Sequence, residues 1–288
     1  MNATPGAAGE ATYAALLAEG RARLAALGEG ARLEAELLLA HALERPRSHL
    51  LAWPQRIPEH AVVAHYRALL GARADGTPLA YLTGRREFWS LELEVTPHTL
   101  IPRPETERLV ELALERLAPG ARGTVADLGT GSGAVALALA SERPGLSLLA
   151  TDRDPGTLRV ARANAMRHNL ANVTFAVADW CAPLASGQFT ALVSNPPYVA
   201  PGDPHLEQGD LRFEPHAALV ASDAGLADLR AIATGARRCL VPGGHLLLEH
   251  GYDQSGAIVE LLVEAGYRDV ADHRDHAGMP RVATARAP

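Results

Sequence analysis

From Thr12 to about Gly71 the apolar residues recur at helical spacing, and beyond that point the rhythm changes. Leu16, Leu17, Leu24 and Leu27 form one stripe, and Leu33, Leu37, Leu38 and Leu43 form a second. Stripes of this period predict amphipathic helices that turn their leucines toward a core. Gly28-Glu29-Gly30 and the stretch from Pro46 to Pro58 punctuate them, because glycine and proline interrupt helices. A third helix over roughly 59–72 carries Val62, Val63, Tyr66, Leu69 and Leu70. The expectation is a small all-helical unit of four or five short helices. The first ten residues are small and polar, and the reading for them is a frayed terminus.

Around Asp75-Gly76-Thr77-Pro78 the helical pattern stops. Residues 87–95 alternate with period two, which predicts a short strand or hairpin. Ile101-Pro102-Arg103-Pro104-Glu105-Thr106-Glu107 then leads into a helix ending near Ala118, with Pro104 and the early acids suited to a helix start. From Thr124 onward strand and helix patterns alternate. Strands are expected at 125–128, 146–151, 173–178, 190–194 and 245–249, with helices at 133–142, 155–168, 224–239 and 254–265. Segments 267–273 and 281–285 read as two final strands, an antiparallel pair. This alternation predicts an α/β fold with a mostly parallel sheet covered on both faces. The expected organisation is a helical domain over 1–80, a hairpin linker over 81–100 and a sheet domain over 101–288.

Composition narrows the functional classes. A 288-residue chain that is 48% hydrophobic supports a sizeable core. A net charge of −6 suits a protein that does not grip a phosphate backbone. The two cysteines, Cys181 and Cys239, lie far apart, and the 12 histidines are scattered; neither has the spacing of a disulfide framework or a metal centre. No signal-peptide pattern opens the chain, and the longest apolar runs are too short to span a bilayer. A reduced cytoplasmic compartment, no membrane, no direct nucleic-acid partner and a monomeric state are the expectations.

The chemistry gathers where strands are expected to end. Asp127-Leu128-Gly129-Thr130-Gly131-Ser132-Gly133 follows the first strand of the sheet domain and opens a helix. Glycines permit positive φ and close backbone approach, and a helix N-terminus offers free N–H groups. The G-x-G-x-x-G spacing of dinucleotide enzymes is absent. The D-x-G-x-G-x-G spacing fits S-adenosylmethionine methyltransferases, where the loop would hold the amino-acid part of that cofactor. Asp152 ends the second strand and can accept from ribose hydroxyls, while nearby Asp154 reads as a helix cap. Asp179 and Trp180 end the third strand and can meet the amine and the face of a planar base. Asn195-Pro196-Pro197-Tyr198 ends the fourth. Two prolines force the chain out of the sheet, and the tetrapeptide offers a side-chain carbonyl, a free proline carbonyl and an aromatic face for a planar NH2 group.

Through these segments the sequence resembles a known family. Asp127–Gly133 together with Asn195–Tyr198 is similar to class I methyltransferases that modify planar nitrogens. Arg86-Glu87-Phe88-Trp89, the Ile101–Glu107 stretch, Arg212-Phe213-Glu214-Pro215 and Leu247-Leu248-Glu249-His250-Gly251 extend the resemblance, over nearly the whole chain, to the bacterial peptide chain release factor N5-glutamine methyltransferases. That resemblance implies a Rossmann-like, S-adenosyl-L-methionine-binding domain. It also implies methylation of the glutamine in the Gly-Gly-Gln loop of class 1 release factors, and a helical N-terminal domain that helps hold the substrate. On this reading Asn195 and Pro196 grip the substrate amide and Tyr198 stacks on it, with Pro197 beside them. Gly129, Thr130, Gly131, Ser132, Gly133, Asp152, Asp179, Trp180 and Asn195 hold the cofactor. Phe88, Arg103 and Glu105 are candidates for the pocket wall, Glu249 and His250 for support, and no metal is required. A ribosomal-protein glutamine methyltransferase, an adenine-N6 methyltransferase acting on nucleic acid and a non-catalytic adaptor are the rival readings.

Overall fold

The computed structural model describes residues 11–288; the expectation for the first ten falls outside them. The chain separates into two compact units, one up to Gly84 and one from Arg85 to Pro288.

The first unit is helical throughout: α1 (Tyr13–Arg23), α2 (Gly30–Leu43), α3 (Arg47–Ala52), α4 (His60–Ala74) and α5 (Leu79–Thr83). Its core gathers Tyr13, Leu16, Leu38, Leu39, Leu50, Tyr66 and Leu70. Tyr66 passes so close to α1 that a Cβ on Gly20 would lie 2.0 Å from its Oη, and that hydroxyl donates to the Leu16 carbonyl at 3.2 Å. The expected stripes need correction. Leu27 and Leu33 face solvent, and α2 instead buries Ala31, Ala35, Leu38 and Leu39. Small alanines bring it close to its neighbours, which leaves Leu33 on the outer side.

The second unit is the expected α/β fold. It begins with a hairpin, β1 (Arg85–Phe88) and β2 (Leu91–Glu94). The two-residue turn Trp89-Ser90 has positive φ at both positions, the geometry that matches strand twist. The hairpin is part of this unit and not a separate linker. Phe88 and Leu93 enter its core, and the Glu94 backbone exchanges hydrogen bonds with the Asn164 amide, N–H to Oδ1 at 2.7 Å and Nδ2 to carbonyl at 3.0 Å.

After α6 (Glu107–Arg116) come β3 (Gly123–Leu128), α7 (Ala134–Glu142), β4 (Leu146–Asp152), α8 (Pro155–Arg167), β5 (Val173–Val177) and β6 (Phe189–Ser194). They are followed by α9 (Ala227–Cys239), β7 (Leu240–Glu249), α10 (Ser255–Glu264), β8 (Arg268–Arg274) and β9 (Pro280–Arg286). The seven strands lie in the order β5-β4-β3-β6-β7-β9-β8. β3 to β7 are parallel, and β9 and β8 close the sheet in antiparallel fashion.

Strand periodicity divides the core in two. Val125, Ala191, Val193 and Leu247 pack with α6 and α7 on one face. Ala126, Leu128, Leu192, Leu246 and Leu248 pack with α9 and α10 on the other. Alternate side chains of a strand point to opposite faces, so continuous apolar runs here mark strands buried on both sides. α7 is buried from Ala134 to Ala140, which explains why it is apolar all round. No helix among the described residues is long and apolar enough to cross a membrane.

Candidate active site

The register of the sheet builds the site. Leu128 at the end of β3 pairs with Thr151 of β4 and with Ser194 of β6. The next residues, Gly129, Asp152 and Asn195, therefore emerge at one edge. From β3 the chain proceeds outward through β4 and β5, then returns to place β6 on the other flank. Such a reversal opens a crevice at the carboxyl ends of the strands. A cavity there is bordered by Gly129, Thr130, Gly131, Ser132, Asp152, Asp179, Trp180, Asn195, Pro197 and Arg103.

The glycine loop is held from both sides. Thr130 N–H donates to the Thr151 carbonyl at 2.8 Å, and Gly131 N–H donates to Asp152 Oδ2 at 3.2 Å. Gly129 has φ +70°, and a Cβ there would lie 3.0 Å from the Trp180 ring; glycine is required on both counts. Trp180 is fixed in turn by its indole N–H, which donates to Asp228 Oδ1 at 3.1 Å. Asp154 caps α8 through the Gly156 and Thr157 amides. Burial pushes the Asp152 carboxyl above its ordinary range, against the pull of the Asp154 and Gly131 amides.

Asp127 opens the glycine-loop segment and carries a role that its place in the sequence does not announce. It is buried and borders the cavity. Its Oδ2 accepts from the Thr130 hydroxyl at 2.6 Å and from Ala136 N–H at 3.1 Å. Oδ1 is sealed from solvent without a partner. Burial, with Asp152 nearby, pushes its pKa up to about 6. A lone buried carboxylate oxygen beside a cavity suits a cationic ligand group, which would supply the missing donor.

The proline turn is tied down beneath. Gln254 Nε2 donates to the Tyr198 carbonyl at 3.0 Å, and Gly225 leaves no room for a side chain, since a Cβ would fall 2.1 Å from that same oxygen. Asn195 Nδ2 donates to Thr106 Oγ1 at 3.1 Å. Its Oδ1 takes no hydrogen bond from the described residues, and none ends on the Pro196 carbonyl. Two free acceptors thus sit on consecutive residues of a rigid turn.

Several expectations are corrected. Phe88 is 2% exposed and belongs to the apolar core, not the cavity wall, because the hairpin register turns it inward opposite Leu91. Glu105 is exposed and does not border the cavity. Gly133, Pro196 and Tyr198 also lie off its surface. Gly133 begins α7 with φ +89°. The Tyr198 ring packs toward the second core, and its hydroxyl donates to Glu249 Oε1 at 3.3 Å.

Other residues matter that no local sequence pattern marks as part of the site. Glu214, with a fully buried carboxylate, pairs with Arg103 and accepts from Ile101 N–H at 3.1 Å. Burial raises its pKa while the Arg103 charge opposes the shift. Glu249 is buried as well, and burial pushes its pKa up to about 7. Thr106 lines the cavity and joins Asn195 across 89 residues of sequence.

Comparison with known proteins gives a consistent picture. Residues 15–84 match the family model described as PrmC N-terminal domain, and residues 106–210 match that of the methyltransferase small domain. A release factor glutamine methyltransferase from Vibrio cholerae is 51% identical over 251 residues, which cover 87% of each chain. A protein of the same name from Escherichia coli is 49% identical over 258 residues, covering 90% of this chain and 93% of that one. Among solved structures, a methyltransferase from Pyrococcus furiosus superposes with a TM-score of 0.51 at 22% identity, over 68% of this chain and 88% of that chain. This last likeness is one of fold.

Proposed function

The chain belongs to the release factor glutamine methyltransferase family, and on that premise we propose that it methylates the side-chain N5 of the Gly-Gly-Gln glutamine in class 1 peptide chain release factors. The methyl donor in this reading is S-adenosyl-L-methionine, whose sulfonium carries an electrophilic methyl group. The cavity fits such a molecule. Asp127 Oδ1 is an orphaned acceptor for an ammonium, the Asp152 carboxylate can take ribose hydroxyls, and Asp179 with Trp180 can meet a planar base bearing an amine.

The observation that carries the reading is the free Asn195 Oδ1 at the cavity. One residue along the turn follows the Pro196 carbonyl, which lies off the cavity surface and also takes no hydrogen bond from the described residues. An amide nitrogen is a weak nucleophile, since its lone pair is delocalised, and its proton is far too weakly acidic for a carboxylate to remove first. Positioning and electrostatics must therefore do the work. Two acceptors receiving both N–H bonds of one amide fix its plane and aim its nitrogen; such orientation contributes on the order of 7–11 kcal/mol. The same oxygens stabilise the positive charge that grows on nitrogen during transfer. Tyr198, in this reading, fixes the turn from behind, with its ring packed toward the second core and its hydroxyl on Glu249. The helical unit is assigned a part in holding the release factor. Because release factors act on ribosomes, the reaction is placed in the cytoplasm.

The test is transfer from labelled S-adenosyl-L-methionine to an intact release factor and to the same factor with its loop glutamine replaced by alanine. Label confined to the unaltered factor supports the reading; equal labelling of both overturns it. An adenine amine would suit the same two acceptors, but a chain of net charge −6 lacks the cationic excess that duplex binding uses.

A further inference from the structure

A chain of polar groups runs behind Asn195. The Thr106 hydroxyl accepts from Asn195 Nδ2 at 3.1 Å, and the Glu249 carboxylate lies next to it. Glu249 accepts from the Tyr198 hydroxyl through Oε1, whereas Oε2 is buried without a donor. The Thr106 hydroxyl faces that carboxylate closely enough to favour its charged form. A threonine hydroxyl has one proton to give. If it goes to Glu249, only a lone pair remains for Asn195, so the Asn195 amide must present its NH2 to Thr106 and its oxygen to the cavity.

We propose that Thr106 and Glu249 form a two-step relay that sets which end of the Asn195 amide faces the substrate. An amide can flip, and a flipped Asn195 would oppose the substrate NH2 with a second NH2. Asn195 is the catalytic group of this relay, and Thr106 and Glu249 are positioning residues. The kinetic part of the inference rests on the methyl-transfer reading above; the orientation of the amide does not.

The relay has a direction that depends on charge. Ionised Glu249 can only accept, which commits the Thr106 proton to it. Protonated Glu249 can donate to Thr106 and release the Thr106 proton toward Asn195. The groups facing Glu249 are Thr106 and Glu105 ahead of α6, Tyr198 beyond β6 and Arg281 on β9; His250, its chain neighbour, is engaged with Asp272 at 3.0 Å. Burial and Glu105 hold the proton on, while Thr106, Arg281 and Tyr198 oppose them, leaving a midpoint of about 7.

The experiment uses the full chain and three variants: Thr106→Val, Thr106→Ser and Glu249→Gln. Thr106→Val keeps shape but removes the hydroxyl, and it should lower kcat by roughly ten- to a hundredfold, far more than it lowers S-adenosyl-L-methionine affinity. Thr106→Ser should restore most of the loss. A glutamine at 249, with its carbonyl held by Tyr198, turns its NH2 to Thr106 at every pH, so Glu249→Gln should be slow and lose the rise in kcat through about pH 7. Wild-type turnover by Thr106→Val, or a wild-type pH profile in Glu249→Gln, overturns the relay. A second readout needs no substrate: the nitrogen-15 resonance of the Asn195 side-chain amide should titrate with a midpoint of about 7 in the unaltered protein and not in Thr106→Val. An unchanged titration in that variant overturns the relay as well. Should the unaltered protein fail to methylate release factors, the functional reading falls, and this resonance still decides the orientation.

Discussion

The Ser194 hydroxyl donates to the Leu128 carbonyl at 2.6 Å, joining the last residues of β6 and β3 where one chain becomes the proline turn and the other the glycine loop. The two halves of the site are thereby fastened at their root. Ser194→Ala should reduce stability by about 1 kcal/mol, and because it loosens the turn against the loop, kcat should fall more than cofactor affinity. Urea unfolding and steady-state kinetics on the same variant check both.

Asn195→Ala removes a free acceptor at the cavity without touching the glycine loop. Methyl transfer should fall by roughly a hundred- to a thousandfold, with S-adenosyl-L-methionine still binding. Calorimetric titration beside a labelled-methyl assay separates these outcomes, and near-normal transfer would remove Asn195 from the mechanism.

Asp127 gives a pH signature in the protein alone. Its folded pKa of about 6 lies above an ordinary aspartate value of about 3.9. The folded state therefore holds the proton more tightly than the unfolded chain. Stability from this group is fully present below about pH 4 and is lost as the pH rises through about 6, by up to about 3 kcal/mol. Glu249 acts with the same sign up to about 7. Melting temperatures taken from pH 5 to pH 8 should show a smaller decline in Asp127→Asn than in the unaltered protein, while the variant binds S-adenosyl-L-methionine less tightly.

Gly129→Ala places a methyl group against the Trp180 ring on a backbone with positive φ. The conformational strain is about 1–2 kcal/mol, and relief requires moving either the loop or the indole. Cofactor affinity should fall roughly tenfold, measurable by quenching of tryptophan fluorescence.

Arg103→Ala leaves the buried Glu214 carboxylate without its counter-charge. Destabilisation of up to about 3 kcal/mol is expected, smaller than for a wholly buried pair because the Arg103 side chain is 30% exposed. Adding Glu214→Gln should recover part of the loss, and a double-mutant cycle reports the coupling.

The sheet and the glycine loop were legible in the sequence because their signals are local. β6 declares itself by an apolar run that ends on two prolines, and the glycines of 129–133 announce positive φ. Thr106 and Glu249 were not legible in the same way. Their roles arise from contacts bridging 89 residues to Asn195 and 51 to Tyr198, and no window of sequence contains such a pair. Phe88 shows the opposite error. Its place in a shared segment suggested the pocket wall, yet one residue of hairpin register decides which face a side chain takes, and here that face is the core. Leu33 failed for a related reason, since a helix packing through alanines reverses the expectation that leucines mark the buried stripe.

Asn164 leaves a last consequence. Its side chain bonds the Glu94 N–H and carbonyl and also the Ser132 carbonyl at 2.9 Å, so one amide on α8 welds the hairpin to the glycine loop using backbone atoms alone. Specificity written in backbone is indifferent to the side chain it holds. Position 94 is therefore free to drift among residues that keep a strand, whereas position 164 has no substitute of the same reach that both donates and accepts. A hairpin borrowed from another protein would dock here if its main chain fits, and Asn164 is the part that could not be borrowed along with it.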